Sequence, residues 1–166
     1  MASDPDRVVW DSCVIIDAIQ KTSDRYQDIE PFLLDAERGK LQIVVSETTV
    51  AEVNRLDHLG EQGIDIENQA RLIRDWFENP YIVRRPVHPG ISELAAEIGR
   101  KYGIKRVGDT IVLATALFDN IGVVHTYDGE GSRKGLLDFD GQIGDPPLRI
   151  TTPNYAQGTL FDKKGL

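Results

Sequence analysis

Five short apolar runs rich in β-branched residues constrain this chain more than any other feature: Val8–Trp10, Leu41–Val45, Tyr81–Val83, Ile121–His125 and Leu148–Ile150. Each has strand length and little polar alternation, the pattern of a strand covered on both faces. Between the first four lie segments of helical periodicity: Cys13–Ile19, Arg25–Arg38, Thr48–Leu59, Glu67–Phe77, Ile91–Tyr102 and Thr110–Phe118. In Arg25–Arg38, for instance, Ile29, Phe32, Leu33 and Ala36 share one helical face. Strands alternating with helices predict an α/β fold with a mostly parallel sheet, because each parallel pair needs a crossover and a helix supplies it. Gly39 and Gly103 stand where two of the helices should stop.

The length, 166 residues, suits one domain, expected over 1–152, with a tail over 153–166 in which Pro153 and Gly158 oppose regular structure. Gly129–Pro147, rich in Gly, Asp and Pro, is expected to be a long loop of the functional or mobile kind. No run approaches the roughly 18 apolar residues of a membrane span. Cys13 is the single cysteine, which excludes an internal disulfide, and no Cys/His cluster has zinc spacing. Met1–Arg7 is polar and acidic, unlike a secretory leader. The expectation is a cytoplasmic protein. Its 19 Lys and Arg against 27 Asp and Glu leave a net charge of −8, which opposes general binding to nucleic acid.

Four acids fall at positions where an α/β sheet places ligands. Asp11 follows the first strand and Asp128 the fourth, beyond the carboxyl ends where such sheets bind. Asp109 opens the Thr110–Phe118 helix, and Glu52 shares a face of Thr48–Leu59 with Leu56 and Leu59, turned inward. Each acid has an ordinary explanation: Asp11 and Asp109 as helix caps, Asp128-Gly129 as a turn, Glu52 as a solvated helix residue. Four together in one crevice would repel one another unless a cation lay among them. A thiol-free carboxylate set suits Mg²⁺ or Mn²⁺, ions that activate water against a phosphodiester. His58, His88 and His125 are scattered and lack a nucleophile partner, so metal-free cleavage by two histidines has little support.

These residues carry a family resemblance. Val8-Val9-Trp10-Asp11-Ser12 resembles the opening PIN-domain motif, a strand ending in Asp-Ser or Asp-Thr. Ser46-Glu47-Thr48-Thr49-Val50-Ala51-Glu52-Val53 resembles the second, Gly108-Asp109-Thr110-Ile111-Val112-Leu113-Ala114 the third, and His125-Thr126-Tyr127-Asp128 the fourth. The resemblance runs over about residues 7–152, in order. It implies a three-layer fold with a five-stranded sheet of order 3-2-1-4-5, and Mg²⁺- or Mn²⁺-dependent hydrolysis of RNA. By motif, Asp11, Glu52, Asp109 and Asp128 would hold the metal, supported by the hydroxyls of Ser12 and Thr126. It also implies a toxin-like (VapC-type) ribonuclease, a homodimer, held in check by an antitoxin protein. Glu47 rivals Glu52, although Ser46 as a cap makes Glu47 an ordinary first-turn acid. The long Gly129–Pro147 segment departs from a minimal toxin.

Lys101, Lys105 and Arg106 precede Asp109, and Arg133 and Lys134 follow Asp128. Of these, Lys105, Arg106, Arg133 and Lys134 are the cations expected to meet substrate phosphates and offset the overall charge, set against a reading of ordinary solvated loop charges. Arg84 and Arg85 are expected to be peripheral, and Cys13 and His125 to be packed core residues. Gln157-Gly158-Thr159-Leu160-Phe161 is similar to peptides that dock on DNA sliding clamps, set against self-packing of Leu160 and Phe161. Two other readings stay open: a catalytically silent PIN-like RNA-binding or scaffolding module, and a metal-dependent phosphatase. A receiver-like signalling domain would need a Lys after the fifth strand, where Thr151, Thr152 and Pro153 stand.

Overall fold

A computed structural model describes residues 3–155 of the chain. Its strands are β1 (Asp6–Trp10), β2 (Leu41–Ser46), β3 (Ile82–Arg85), β4 (Val123–His125) and β5 (Arg149–Thr151), all pairs parallel, in the order β3-β2-β1-β4-β5. The helices are α1 (Ser12–Gln20), α2 (Ser23–Glu37), α3 (Glu47–Glu52), α4 (Asp57–Glu61), α5 (Ile66–Phe77), α6 (Pro89–Tyr102) and α7 (Val107–Phe118). Successive strand residues face opposite ways, which gives two cores. Val8, Trp10, Ile43 and Val45 pack against Ile15 of α1, Phe32 of α2 and Phe77 of α5. Val9, Val44 and Val124 pack against Ile91 and Ile98 of α6 and Leu113 of α7. Both faces are covered, as the strands' lack of alternation required. Among the described residues no helix is long and apolar enough to cross a membrane.

Where β1 and β4 end, Trp10 lies opposite His125. The Trp10 indole N–H donates to His125 Nδ1 at 3.0 Å inside the core, and the Phe32 ring meets the imidazole edge-on at 4.7 Å. Burial pushes the His125 pKa down to about 3, so the ring is a neutral acceptor. It is a core residue, as expected.

The structure corrects three expectations. Thr48–Leu59 is not one helix: α3 ends at Glu52, Val53 leaves helical geometry, and α4 starts at Asp57. The break is held by buried Gln69 of α5, whose side-chain oxygen accepts the Leu56 N–H at 2.9 Å and whose amide donates to the Ile64 carbonyl at 2.8 Å. The argument that Glu52 faces inward with Leu56 and Leu59 therefore fails. Helix α7 begins before Asp109, which sits in its first turn rather than capping it. Gly129–Pro147 is a packed insertion, not a free loop. It contains a 3-10 turn over Leu136–Phe139, buries Leu136 and Ile143, and receives the Ile150 N–H on Asp140 Oδ1 at 2.7 Å. At the last described residue, the Tyr155 hydroxyl donates to Asp35 of α2 at 2.7 Å. The clamp-like peptide Gln157–Phe161 lies outside the described residues.

Candidate active site

Asp11 is the first residue after β1 and caps α1. Its Oδ1 accepts the Ser12 N–H at 2.8 Å, and its Oδ2 accepts the Thr126 hydroxyl at 2.8 Å. That second bond exists because β1 and β4 end side by side in register. Thr126 Oγ1 also accepts the Asp128 N–H at 3.0 Å, so one buried hydroxyl positions two acids from separate strands. Asp128 is fixed again from the far side by the Leu136 N–H, 3.0 Å from its Oδ2. There Gly135 has extended backbone, open to any residue, but its bare Cα lies against Asp128: an added Cβ would be 2.6 Å from the Asp128 carboxyl carbon.

Glu52 ends α3, which packs on α7, and Asp109 comes from the first turn of α7. Gly108 makes this approach possible, since a Cβ there would collide with Glu52 Oε1. All four acids line one open cavity of about 780 Å³ with Ser12. Thr126 stands behind it, reaching the cavity through Asp11 and Asp128. Glu47 turns elsewhere, pairing with Arg84 through two bonds of 2.7 Å, which removes it as a rival to Glu52. Arg85 bonds Asp119 at 2.7 Å, so both arginines are structural.

Asp11, Glu52 and Asp109 hold their protons more firmly than free carboxylates. Burial raises the Asp11 pKa most; its hydrogen bonds from Thr126, Ser12 and Cys13 oppose this, and the charge of Asp128 adds to it. Asp109 is pushed up to about 7, by partial burial first and then by the charges of Asp11 and Asp128, with Arg106 opposing. Glu52 is also raised by desolvation, while the Ser12 hydroxyl draws it back. Cys13 lines the cavity rather than lying wholly in the core. Its sulfur accepts the Tyr127 N–H at 3.2 Å, and burial beside Asp11 pushes the thiol up to about 12. It is a neutral thiol, unsuited to nucleophilic attack.

The four cations divide. Arg106 and Arg133 line the acid cavity; Lys105 and Lys134 do not, and line a neighbouring one with Arg106. Sequence reasoning missed Arg25. This residue pairs with buried Asp17 at 2.8 Å and Glu130 at 3.2 Å, lies over the Tyr127 ring at 4.1 Å, and lines the acid cavity. Nothing in a helical arginine signals that placement. Tyr127, between Thr126 and Asp128, had a better signal in its position within a site motif.

Among the described residues, no group of three or more His, Cys, Asp or Glu side chains is assembled as a metal site. The donor chemistry fits a hard divalent ion all the same: carboxylate oxygens, with Asp11 and Asp109 raised by burial first and by neighbouring acid charge second, and the one thiol neutral.

Comparison with solved structures shows the fold in microbial toxin–antitoxin systems. VapBC2 of Rickettsia felis, solved with a promoter DNA fragment, matches with a TM-score of 0.58 at 16% identity, over 87% of this chain and 98% of that one. A toxin–antitoxin complex from Klebsiella pneumoniae gives 0.56 at 21% identity, over 88% and 97%. VapC20 of Mycobacterium tuberculosis, a toxin that cleaves the sarcin-ricin loop, gives 0.55 at 11% identity, over 74% and 91%. A comparison with curated proteins found none that matches. A family model does match, over residues 8–135, a span that holds all four acids. The chain belongs to the PIN domain family.

Proposed function

We propose that this protein is a divalent-metal-dependent endoribonuclease and the toxin of a toxin–antitoxin pair. One observation carries the reading: Asp11 after β1, Glu52 on α3, Asp109 on α7 and Asp128 beyond β4 share one open cavity. Unneutralised acids at that density destabilise a fold, so a module that only bound or scaffolded would gain nothing from them. These four residues would hold Mg²⁺ or Mn²⁺, supported by Ser12 and Thr126. Bound there, such an ion supplies an activated water and offsets charge on the phosphodiester oxygens.

The chain's own residues do the rest. Thr126 and the Leu136 N–H hold Asp11 and Asp128 in place. Arg106 and Arg133 at the cavity would bind substrate phosphates, which the four acids alone would repel. RNA as substrate and an antitoxin as partner are supported by the VapC20 and VapBC2 structures, whose fold this chain shares. A homodimer and a cytoplasmic location belong to the same reading.

The test is incubation of purified protein with labelled single-stranded RNA, in Mg²⁺ or Mn²⁺ and in EDTA, beside Asp11→Asn. Metal-dependent cutting that Asp11→Asn abolishes, with its circular dichroism unchanged, is expected. Cutting that survives in both Asp11→Asn and Asp109→Asn would place the chemistry elsewhere. RNA binding without cutting or metal uptake would favour the silent module. Hydrolysis of small phosphoesters alone would favour the phosphatase.

A further inference from the structure

A second cavity, of about 490 Å³, adjoins the first and shares Arg106, Asp109 and Asp128 with it. Its size falls within the roughly 300–1,000 Å³ of pockets that hold small ligands. Its lining changes character away from Asp109 and Asp128: Ile104, Leu136 and Phe139 are apolar, Lys105 and Lys134 flank them, and Asp138 also lines it with its Oδ2 engaged by the Gly135 N–H at 2.9 Å. Neither lysine makes an ion pair with another described residue. An apolar floor with an aromatic ring, rimmed by cations and continuous with an acid cavity, is complementary to a base, its sugar and a phosphate.

The floor is tied to the acids. The Leu136–Phe139 turn hangs from Asp128 by two hydrogen bonds, Leu136 N–H to Oδ2 and Leu137 N–H to the main-chain oxygen, both 3.0 Å. Phe139 is half-buried and braced edge-on by Tyr102, with ring centroids 6.3 Å apart. The ring is thus held at a fixed place relative to Asp128 while part of it stays open.

We propose that this cavity binds the nucleotide of single-stranded RNA next to the scissile phosphate, its base stacked on Phe139 and its outer phosphate between Lys105 and Lys134. The proposal rests on RNA being the substrate. It gives the inserted segment a role: selecting how the strand is laid across the acids.

The experiment is a titration of a short single-stranded RNA carrying 2-aminopurine, whose fluorescence falls on stacking. It is run with wild-type protein in EDTA, and with an Asp11→Asn background in Mg²⁺, so that cleavage does not intervene. Saturable quenching is expected. Phe139→Ala should remove the quench and weaken binding about tenfold, with Phe139→Trp restoring both. The double variant Lys105→Ala, Lys134→Ala should weaken binding by at least about tenfold and keep the quench at saturation. Both lysines are exposed, so that variant tests the site even if Phe139→Ala misfolds. Absence of quenching in both conditions, or affinity indifferent to all these changes, overturns the subsite. Cleavage is scored separately. A protein that cuts RNA yet ignores Phe139 and the lysines loses only the subsite. One that stacks the probe but never cuts keeps the subsite and loses the nuclease reading.

Discussion

Thr126 is among the most constrained of the residues around the acids. Its buried hydroxyl donates to Asp11 and accepts from the Asp128 N–H, so replacing it leaves two polar groups unpaired. Thr126→Val keeps the shape and removes both bonds. It should cost about 1–3 kcal/mol of stability and weaken metal affinity about 10–100-fold. Denaturant unfolding and calorimetric titration with Mn²⁺ would measure these; wild-type metal affinity would deny Thr126 its positioning role. The neighbouring His125 makes a different prediction, about pH. Its pKa is about 3 in the fold against an ordinary 6.5. Below 6.5 the unfolded chain takes up a proton that the buried ring refuses. The full stability is therefore present above that value and falls as pH drops toward about 3. The slope from this one group approaches about 1.4 kcal/mol per pH unit. His125→Gln, whose amide oxygen can still accept from Trp10, should flatten the curve of unfolding midpoint against pH; an unchanged curve would assign the acid sensitivity to other groups.

Helix α3 and the start of α7 meet through Gly108 and Glu52, a contact that spacing along the chain could not reveal. Gly108 is the second residue of α7, so Gly108→Ala adds a better helix former at a first-turn position, worth less than the ~1 kcal/mol of a helix interior. Its methyl would nevertheless occupy the place of Glu52 Oε1, at the movable end of a side chain. The expected result is a melting temperature kept or slightly raised, with cleavage reduced about tenfold or more for a displaced ligand. Full activity in Gly108→Ala would mean that Glu52 is dispensable. The strands were legible because burial on both faces writes continuous apolar runs, whereas their order, with β1 and β4 as neighbours, was only what the resemblance to PIN domains implied. Asp11 and Asp128 were legible for a related reason: Asp11 directly follows β1, and Asp128 comes three residues after the end of β4. The break after Glu52 was not, because Gln69, distant in sequence, satisfies the Leu56 N–H that an unbroken helix would have used. The anchoring of Leu136–Phe139 was equally hidden. Gly and Asp in that segment read as loop chemistry, whereas here Gly135 permits close packing and Asp138 accepts the Gly135 N–H at 2.9 Å. Arg25 is placed by Asp17 and Glu130, and no local pattern encodes that pairing.

For the proposed RNA substrate, the net charge of −8 sets the terms of approach. At about 0.1 M salt the screening length is about 10 Å, so charges beyond the two cavities contribute little at contact. Attraction must come from cations that reach the strand directly: Arg106 and Arg133 at the acids, Lys105 and Lys134 beside them. Each phosphate neutralised on a single strand contributes about −0.7 to the slope of log affinity against log salt. Three or four contacts therefore predict a slope between about −2 and −3, shallow for a nucleic-acid binder and consistent with an acidic protein that grips a short stretch. Alanine at any one of the four should lower the magnitude by about 0.7. Alanine at Arg74, exposed on α5 and outside both cavities, should leave it unchanged. Fluorescence anisotropy of a labelled single-stranded RNA in EDTA, over a salt series, measures all five variants. A slope equally sensitive to Arg74 would mean that RNA is held by a diffuse surface field. A slope that responds only to the four would locate the strand along the joined cavities, with its path crossing Asp109 and Asp128.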